Sequence, residues 1–342
     1  MNTTVEKPVE NQKIENYYIC ANKNVREDKN GNKFLLLRLM NTDGIIGAVK
    51  WRVEEAVVDS FDQGQVVKIT GRVKKSNYRD QLEIDLENIT PVTDEDEVDP
   101  ASLQPASPRD MGEMEAELAG IRDSITNTYL SLLLDEIFTD DMYRAYCQAP
   151  AAKGIHHNYI HGLLEHSLSV SQVADAIAGQ YQDINRDLLV TAAILHDIGK
   201  TVEFNYSTAI DYSDKGRLLG HIVIGEKIVA DAISRLESIP GEGADSGQLQ
   251  LEGGGAGAQP EEFPRELALQ LLHLILSHHG EKEYGSPIRP KTPEAFILNH
   301  ADDIDAKANI FERKRADSDD PWSEFNRPLD RFLYLRKAED QE

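Results

Sequence analysis

The sequence predicts a multidomain protein of mixed α and β structure, in which a small five-stranded β-barrel precedes an all-α helical bundle. The chain has 342 residues, a length that favours two domains. Short runs of apolar and β-branched residues, separated by turn sequences, fill residues 15–92. From Met111 onward, apolar residues recur at the spacing of amphipathic helices. These observations place the β structure before the helices.

Five strands are expected in the first domain, residues 1–92. The segment Leu82-Glu83-Ile84-Asp85-Leu86 alternates strictly, as a half-buried strand does. The sequences Lys29-Asn30-Gly31-Asn32 and Asn41-Thr42-Asp43-Gly44 are typical of turns. The predicted strands lie near 17–24, 34–40, 45–51, 65–73 and 81–89, with a short helix at 52–60. This order is typical of a Greek-key barrel of the OB type.

The boundary between the domains is predicted from composition. Residues 93–110 are acidic, rich in Pro and Ser and aperiodic, so we expect a linker. Residues 111–342 are expected to form the helical domain, in which Leu163, Val170, Val173 and Ile177 recur at helical spacing. A Gly-rich, low-complexity stretch at about 238–262 interrupts this pattern and is expected to be a surface insertion.

Composition restricts the compartment and the binding partners. The two cysteines, Cys20 and Cys147, argue against a disulfide framework and favour the reducing cytoplasm. Residues 1–10 are polar and lack the apolar core of a signal peptide, and the longest apolar run is too short to cross a membrane. The net charge of −24 arises after residue 92, and it disfavours non-specific binding of nucleic acid. Contact with a polyanion would therefore be local or mediated by metal ions, unless the acidity only maintains solubility.

Seven His and Asp residues lie at the ends or on the apolar faces of successive predicted helices. The most informative pair is His196-Asp197, which follows the apolar run ending in Leu195. Asp302 lies four residues after Leu298, on an apolar face where an unpaired carboxylate is costly. Each residue alone could be an ordinary member of the core or of the solvated surface, but together they favour a metal site. The set is His166, His196, Asp197, His221, His278, His279 and Asp302.

The same residues carry a family resemblance. His166, His196-Asp197 and Asp302 match the H…HD…D pattern of the HD-domain metal-dependent phosphohydrolases, and His221, His278 and His279 match the added histidines of the two-metal members. The segments 154–157, 162–167 and 300–307 resemble the YhaM-type 3′→5′ exoribonucleases, which also carry an N-terminal OB domain. In one departure, His161 stands where Gly is expected. It is open whether it contacts substrate, alters metal preference or faces solvent.

The resemblance implies a divalent transition-metal centre with two ions. Mixed His and carboxylate ligation suits Mn²⁺, which we expect first, and also Fe²⁺, Ni²⁺, Zn²⁺ or Co²⁺. We expect Asp197 to bridge the ions, with His166, His196 and Asp302 on one and His221, His278 and His279 on the other. Lys200 is expected either to hold a substrate phosphate or to interact with a helix C-terminus. His156 and His157 are expected to contact phosphate or act as general acid, or else to pack a loop.

The barrel is expected to capture a nucleic-acid strand. OB folds bind single strands through loops that combine positive charge with aromatic side chains. Trp51 and Phe34 are candidates for base stacking, although a position in the core is the more ordinary expectation for both. The basic clusters could equally be ordinary solvated loops. The candidate nucleic-acid-binding residues are Lys23, Arg26, Lys29, Lys33, Trp51, Lys74, Lys75, Tyr78 and Arg79.

Taken together, the sequence leads to one functional hypothesis and two alternatives. The resemblance implies a metal-dependent 3′→5′ exoribonuclease of single-stranded RNA, with single-stranded DNA as a further substrate class. The first alternative is a phosphohydrolase of free or cyclic nucleotides, and the second is a non-catalytic single-strand-binding protein. A homo-oligomer is also considered, because one small OB domain grips a strand weakly.

Overall fold

A computed structural model describes residues 9–76, 81–93, 96–153, 157–206, 209–238, 262–317 and 320–336. The chain divides into two compact units, Met1–Ala106 with Asn205–Asp211 and Ser107–Phe204 with Tyr212–Glu342. The first contains a closed β-barrel and the second is helical, which confirms the predicted fold class. The predicted Gly-rich insertion lies almost wholly outside the described residues.

The first unit is a closed barrel with the strand order β1-β2-β3-β5-β4. Most neighbouring strands are antiparallel, and the parallel pairing of β3 with β5 closes the barrel. The short helix α1 lies between β3 and β4, as the sequence predicts. The bounds are β1 Lys13–Glu27, β2 Lys33–Asn41, β3 Gly44–Lys50, α1 Glu55–Val58, β4 Val66–Lys75 and β5 Leu82–Pro91.

Alternation of apolar residues along the strands produces the barrel core. Leu35, Leu37 and Leu39 of β2 all point inward and are buried. Gly71 permits a close approach of β4 and β5, because a Cβ atom there would lie 2.5 Å from the carbonyl oxygen of Asp85. A register shift between Thr70 and Gly71 accompanies this approach. The predicted linker begins on the barrel, where the Tyr17 hydroxyl donates to Asp96.

The second unit is a bundle around the apolar helix α6, in which Leu188–Leu195 are all buried. Helix α6 packs against α3, α5, α9 and α10. The bounds are α2 Met111–Asp123, α3 Thr128–Ile137, α4 Asp140–Gln148, α5 Gly162–Ala178, α6 Arg186–Leu195, α7 Lys200–Glu203, α8 Asp214–Ser238, α9 Arg265–Ser277 and α10 Pro293–Asp317, with short strands β6 Phe204–Asn205 and β7 Asp211–Tyr212. Among the described helices, none has the length and apolarity needed to cross a bilayer.

Two backbone features aim residues of this bundle at its centre. Helix α8 is broken at Gly220, whose φ of 73° is unfavourable for other residues, and His221 begins the second half. Gly199 lets the start of α7 touch α8, because a Cβ atom there would lie 2.0 Å from the carbonyl oxygen of His221. The chain after α6 and the start of the second half of α8 therefore meet at backbone contact.

The C-terminal residues form a small hairpin-like segment on the helical unit. Leu333 and Leu335 are buried against Ile310 of α10. Aromatic side chains on the other side of this segment are exposed and pair with one another: Trp322 with Tyr334, and Phe325 with Phe332. The tail therefore packs on its own protomer through its leucines.

Candidate metal centre

The seven predicted metal ligands converge from five places in the helical unit. His166 lies in α5, His196-Asp197 follows α6, His221 follows the break in α8, His278-His279 follows α9, and Asp302 lies in α10. His196 and His278 occupy equivalent positions, since each is the residue that ends its helix. The bundle thus gathers ligands that are up to 136 residues apart in the chain.

One carboxylate oxygen of Asp197 faces the first group of ligands. Its Oδ2 lies 3.5 Å from His166 Nε2 and 3.4 Å from His196 Nε2. Asp302 Oδ1 lies 3.2 Å from the same atom of His166 and 4.0 Å from that of His196. Ligand atoms about 2.0–2.2 Å from a shared ion are about 3.0–3.5 Å apart, so this spacing fits a metal site.

The other oxygen of Asp197 faces the second group. Its Oδ1 lies 3.4 Å from His221 Nε2 and 3.6 Å from His278 Nε2, and ring nitrogens of His221, His278 and His279 lie within 4.8 Å of one another. These three atoms of Asp197, His221 and His278 are buried without a hydrogen-bond partner among the described residues. Buried polar atoms are rarely left unpaired, so their convergence fits a cation-binding site.

The other ring nitrogen of each histidine ligand is engaged by an acceptor. In His196 and His278, Nδ1 bonds the carbonyl oxygen three residues earlier, at 2.8 and 2.7 Å. Each bond satisfies a carbonyl in the last helical turn that has no partner within the helix. The Nδ1 partners are Asp305 for His166, Ala193 for His196, Glu203 for His221, Ile275 for His278 and Tyr284 for His279.

These bonds fix the tautomer of every histidine ligand. Carbonyl and carboxylate oxygens only accept, so Nδ1 carries a proton and, in the neutral ring, the Nε2 lone pair is left for an ion. The Nε2 atoms of His166 and His196 face each other at 3.2 Å. A cation satisfies both atoms at that distance, either a proton held by His166 or a metal ion.

A buried polar network holds the Nδ1 side of the His166 ring, which faces away from the other ligands. Asp305 Oδ2 accepts from His166 Nδ1 at 2.6 Å and from His157 Nε2 at 2.9 Å. The Tyr159 hydroxyl connects His157 Nδ1, 3.0 Å away, with Glu165, 2.9 Å away. His157 is 2% exposed and donates to Asp305, an arrangement that fits the packing role expected as the alternative to phosphate contact. His156 lies outside the described residues.

Lys200 lies next to Asp197. Its ammonium group is buried and donates to Asp197 Oδ2, three residues earlier. The ammonium group thus pairs with the carboxylate of Asp197, while the Lys200 side chain also lines the cleft in front of the centre. Its charge neutralises part of the negative charge of Asp197.

The electrostatics of the centre favour a bound cation. Burial opposes ionisation of Asp197 and Asp302. Lys200 and the neighbouring imidazoles outweigh it at Asp197, and the imidazoles of His166, His196 and His278 outweigh it at Asp302, so the pKa of each carboxyl lies below its usual value. Burial lowers the pKa of His166, yet its bonds to three carboxylates raise that pKa well above the usual value overall. The surroundings thus attract positive charge, whether as a proton or as an ion.

His278 and His279 have the protonation state that a metal ligand needs. Burial lowers the pKa of both imidazoles, and for His279 the nearby His278 helps to lower it to about 4. Neutral imidazole and ionised carboxylate are the forms that bind divalent metals. The residues present therefore fit a divalent metal centre, and the bundle brings all seven predicted ligands together.

His161, the departure from the family pattern, lies away from the ligands. It precedes α5 in the left-handed region, with φ of 68°, and its Nδ1 donates to the carbonyl oxygen of Cys147 at 2.7 Å. Gly162 follows in close contact with His157, because a Cβ atom there would lie 2.1 Å from the His157 carbonyl oxygen. The His161 ring thus ties α4 to the start of α5.

A cleft of about 1170 Å³ opens in front of the centre. Its lining includes His221, His279 and Asp302 together with exposed aromatic side chains, Tyr284 and Phe296. Cationic side chains also line it: Lys153, Lys200, Arg289, Lys307 and Arg331. Such a lining can accept both the bases and the phosphates of a nucleotide chain.

In the barrel, the predicted basic residues fall into two groups, one next to the end of β3 and one across β5 from its middle. Arg26, Lys29 and Lys33 lie at the hairpin between β1 and β2, next to the end of β3. Lys74 pairs in register with Glu83, which neighbours Gly47 of β3, and Lys75 follows it. Tyr78 and Arg79 lie outside the described residues.

Several of these cations already have partners in the barrel. The Lys23 ammonium donates to the carbonyl oxygens of Val58 and Phe61, so the structure does not present it to a ligand. Lys33 pairs with Glu55, and Lys74 pairs with Asp85 at 3.2 Å. The Lys33–Glu55 pair is exposed and the Lys74–Asp85 pair partly so; pairs of this kind contribute little, so a phosphate can replace the carboxylate.

Trp51 differs from the more ordinary expectation of a core position. It is 46% exposed, and its ring stacks on Phe34 with centroids 4.8 Å apart. Phe34 is paired in register with Arg26. An exposed ring beside a cation is the arrangement on which single-stranded bases stack.

Two residues that position ligands, Asp305 and Glu203, are not among the residues predicted for the site from the sequence. Asp305 lies three residues after Asp302 and shares its helix face, a spacing that could have indicated it. Glu203 accepts from both the backbone N–H and Nδ1 of His221, at 3.0 and 3.1 Å. Its distance of 18 residues from His221 leaves no sequence signal.

Comparisons with known proteins agree with this division of the chain. A family model described as HD domain matches residues 163–307, and one described as OB-fold nucleic acid binding domain matches residues 21–92. The 3′-5′ exoribonuclease YhaM of Bacillus subtilis (strain 168) is 30% identical over 308 residues, covering 88% of this chain and 87% of its own length. The protein of the same name from Listeria monocytogenes serotype 4b (strain CLIP80459) is 31% identical over 287 residues, covering 83% and 82%.

Among solved structures, the second OB-fold domain of replication protein A from Methanococcus maripaludis is similar to part of this chain. The identity is 25%, and the match covers 25% of this chain and 86% of that one, with a TM-score of 0.19.

Proposed function

This chain belongs to the YhaM family of 3′-5′ exoribonucleases, and from that premise we infer that it is a metal-dependent hydrolase that shortens single-stranded RNA from its 3′ end. One observation carries the inference at the level of chemistry: the two oxygens of Asp197 face two separate groups of buried imidazoles. A bridging carboxylate between two ligand groups suits hydrolysis of phosphodiesters by paired ions.

The proposed ion sites follow from these two groups. His166, His196, Asp302 and Asp197 Oδ2 would hold one ion, and His221, His278, His279 and Asp197 Oδ1 the other. Five imidazoles and two carboxylates suit Mn²⁺, which we propose as the working ion, and also Fe²⁺, Co²⁺, Ni²⁺ or Zn²⁺. When bound, such ions activate water and stabilise the charge that develops on a phosphodiester.

The protein's own residues prepare this chemistry. Asp305 and Glu203 hold the protons of His166 and His221 on Nδ1, so that both rings present Nε2 to the centre. Lys200 neutralises part of the negative charge of Asp197, and a divalent ion would compete with its ammonium group for Asp197 Oδ2. The His157–Tyr159–Glu165 network keeps Asp305 in place from the side away from the cleft.

We propose that the barrel domain, residues 1–92, captures the strand for the helical domain, residues 111–342. Support comes from the exposed Trp51 ring and from the cations at Arg26 and Lys29 beside it. Base stacking and backbone attraction are not specific to RNA, so we include single-stranded DNA as a substrate. A homo-oligomer would add barrels and strengthen a grip that one small domain provides only weakly.

The cysteines support a cytoplasmic location. Cys20 and Cys147 are both free and buried. A chain without disulfides suits a reducing compartment, in which single-stranded RNA is also available.

The experiment is a time course with a 5′-labelled single-stranded RNA and Mn²⁺, resolved on a sequencing gel. The wild type should give a ladder of shortened products, and Asp197→Ala should abolish it while the binding of RNA is retained. Asp231→Ala is the matched control, because that carboxylate is exposed on α8 and pairs with the exposed Lys227. Turnover of free or cyclic nucleotides without a ladder would instead support a nucleotide phosphohydrolase.

A further inference from the structure

An exposed pair of rings lies in the cleft beside the metal centre. Phe296 is 58% exposed although it lies in α10, a helix whose other apolar residues at this end, Ala295 and Leu298, are buried. The Phe296 and His300 rings are one helical turn apart, with centroids separated by 4.4 Å and planes at 68°. Both residues line the cleft. Phe296 thus presents much of its ring to the cleft.

The ring pair lies at a defined distance from the ligands. Asp302 follows His300 by two residues and Phe296 by six on the same helix. At 1.5 Å per residue, the Cα atoms are about 3 and 9 Å apart along the helix axis. Successive residues are about 100° apart around the axis, so the rings and Asp302 leave α10 in different directions. They nevertheless line the same cleft, so one nucleotide chain in it can contact both the rings and the centre.

The chemistry of the surrounding cleft fits a nucleotide. Arg331 lines the cleft, and among the described residues no carboxylate pairs with its guanidinium group, whose Nε donates to the carbonyl oxygen of Leu329. Arg289 pairs with Glu281 at 2.6 Å, and both side chains are largely exposed. An exposed pair of this kind is readily opened by a phosphate. The cleft thus offers a ring surface, cations and the ligand centre together.

We propose that the Phe296–His300 pair, defined here as the ring platform, stacks the base of the 3′-terminal nucleotide while the adjoining phosphodiester lies at the metal centre. This inference rests on the proposed exonuclease function and assigns the position of the substrate end. Stacking accepts every base because each has a π face. The ring platform would therefore align successive ends of the strand without reading their sequence.

The first test compares two substrates of the full-length enzyme with Mn²⁺. Phe296→Ala should lower kcat/KM for a single-stranded RNA by about 5- to 150-fold, the effect of losing one base–aromatic stack. Hydrolysis of bis(p-nitrophenyl) phosphate, which has no base, should stay within about twofold of the wild type. Phe296→Trp should retain RNA hydrolysis, because it restores a larger ring.

The matched control is Phe332→Ala. Phe332 is 62% exposed and lies outside the cleft lining, so its loss should leave RNA hydrolysis unchanged. An equal loss in Phe332→Ala would overturn the assignment, since the effect would then follow the removal of any exposed aromatic residue. A changed oligomeric state of Phe296→Ala by light scattering would overturn it too, by making the ring platform a contact between copies.

The second test locates the stacked base with an RNA whose 3′-terminal nucleotide lacks its base. With the wild type, kcat/KM should fall on the abasic RNA by the same factor by which Phe296→Ala lowers it on the normal RNA. With Phe296→Ala, kcat/KM should fall little further on the abasic RNA. This non-additivity is the signature of a direct contact. Additive losses, or coupling only to a penultimate abasic site, would overturn the assignment to the terminal base. A wild type that shortens no RNA would instead refute the exonuclease function itself.

Discussion

Replacing Asp305 by Asn should weaken the binding of metal without removing a metal ligand. The Asp305 carboxylate accepts from His166 Nδ1 at 2.6 Å and from His157 Nε2 at 2.9 Å. An amide oxygen can occupy the same place, but it converts charge-assisted bonds into neutral ones. Hydrogen bonds to charged groups contribute about 1 kcal/mol more than neutral ones.

The expected magnitude follows from these two bonds. Loss of about 1 kcal/mol at His166, with up to another 1 kcal/mol from loosening of His157, corresponds to a roughly 5- to 30-fold lower affinity. This range agrees with the roughly 10- to 100-fold loss of affinity or activity that follows removal of a partner behind a metal ligand. At saturating Mn²⁺ the rate should recover to within about threefold, because the ligands themselves are intact.

The assay is hydrolysis of labelled RNA as a function of Mn²⁺ concentration, together with calorimetric titration of the ion. Asp303→Asn is the control, because Asp303 is exposed on the same helix and pairs with Lys307 at 2.6 Å. The role of Asp305 behind His166 is refuted if Asp305→Asn titrates like the wild type, or if Asp303→Asn shifts the titration equally. Circular dichroism checks that both variants are folded.

Four further predictions address other parts of the molecule. Gly199→Ala should lower both the unfolding temperature and the amount of bound metal measured by mass spectrometry, because its Cβ atom would lie 2.0 Å from the His221 carbonyl oxygen. Gly225→Ala, whose Cβ atom would have its nearest neighbour at 3.3 Å, should have a milder effect, and equal effects of the two substitutions would contradict this reasoning. His161→Ala should be less stable than His161→Gly by about 1–2 kcal/mol in thermal unfolding, because the backbone φ at this position is 68°. RNA hydrolysis should be unchanged in both variants, and reduced hydrolysis would show that the His161 ring contacts the substrate. Trp51→Ala should weaken RNA binding about 5- to 150-fold in fluorescence anisotropy, whereas Tyr181→Ala, which changes an exposed residue of the helical unit, should not. If Trp51→Ala bound RNA as tightly as the wild type, Trp51 would have no stacking role. Burial raises the pKa of Cys20 and Cys147 to about 11, so both thiols should react with Ellman's reagent at pH 8 only after unfolding, and rapid reaction of the native protein would show that they are accessible.

The barrel could be predicted in detail because its signals are local. Each predicted strand lies within or one residue beyond an observed one, since strict alternation and turn sequences are properties of neighbouring residues. Trp51 is harder to place, because a large ring directly after a strand has equal access to the core and to solvent. Only the position of Phe34 in the register decides that Trp51 stacks outside.

The convergence of the seven His and Asp residues could likewise be predicted, because several imidazoles on apolar helix faces rarely occur together except around a metal ion. The roles of Lys200 and His157 could not, because each depends on a partner that tertiary packing supplies. Lys200 lies one turn from Asp197, but the sequence does not say whether its ammonium group turns toward that carboxylate or toward the cleft. His157 is 148 residues from Asp305, and only the packing of α5 against α10 brings them together.

The origin of the ligands in separate helices gives the ion a second effect besides its chemistry. His166 and Asp302 lie 136 residues apart, so an ion held by both cross-links the beginning and the end of the bundle. An ion that binds only the folded protein stabilises it by about 2.7 kcal/mol when its concentration is one hundred times the dissociation constant. The proposed ions would therefore contribute to the stability of the folded bundle as well as to its chemistry.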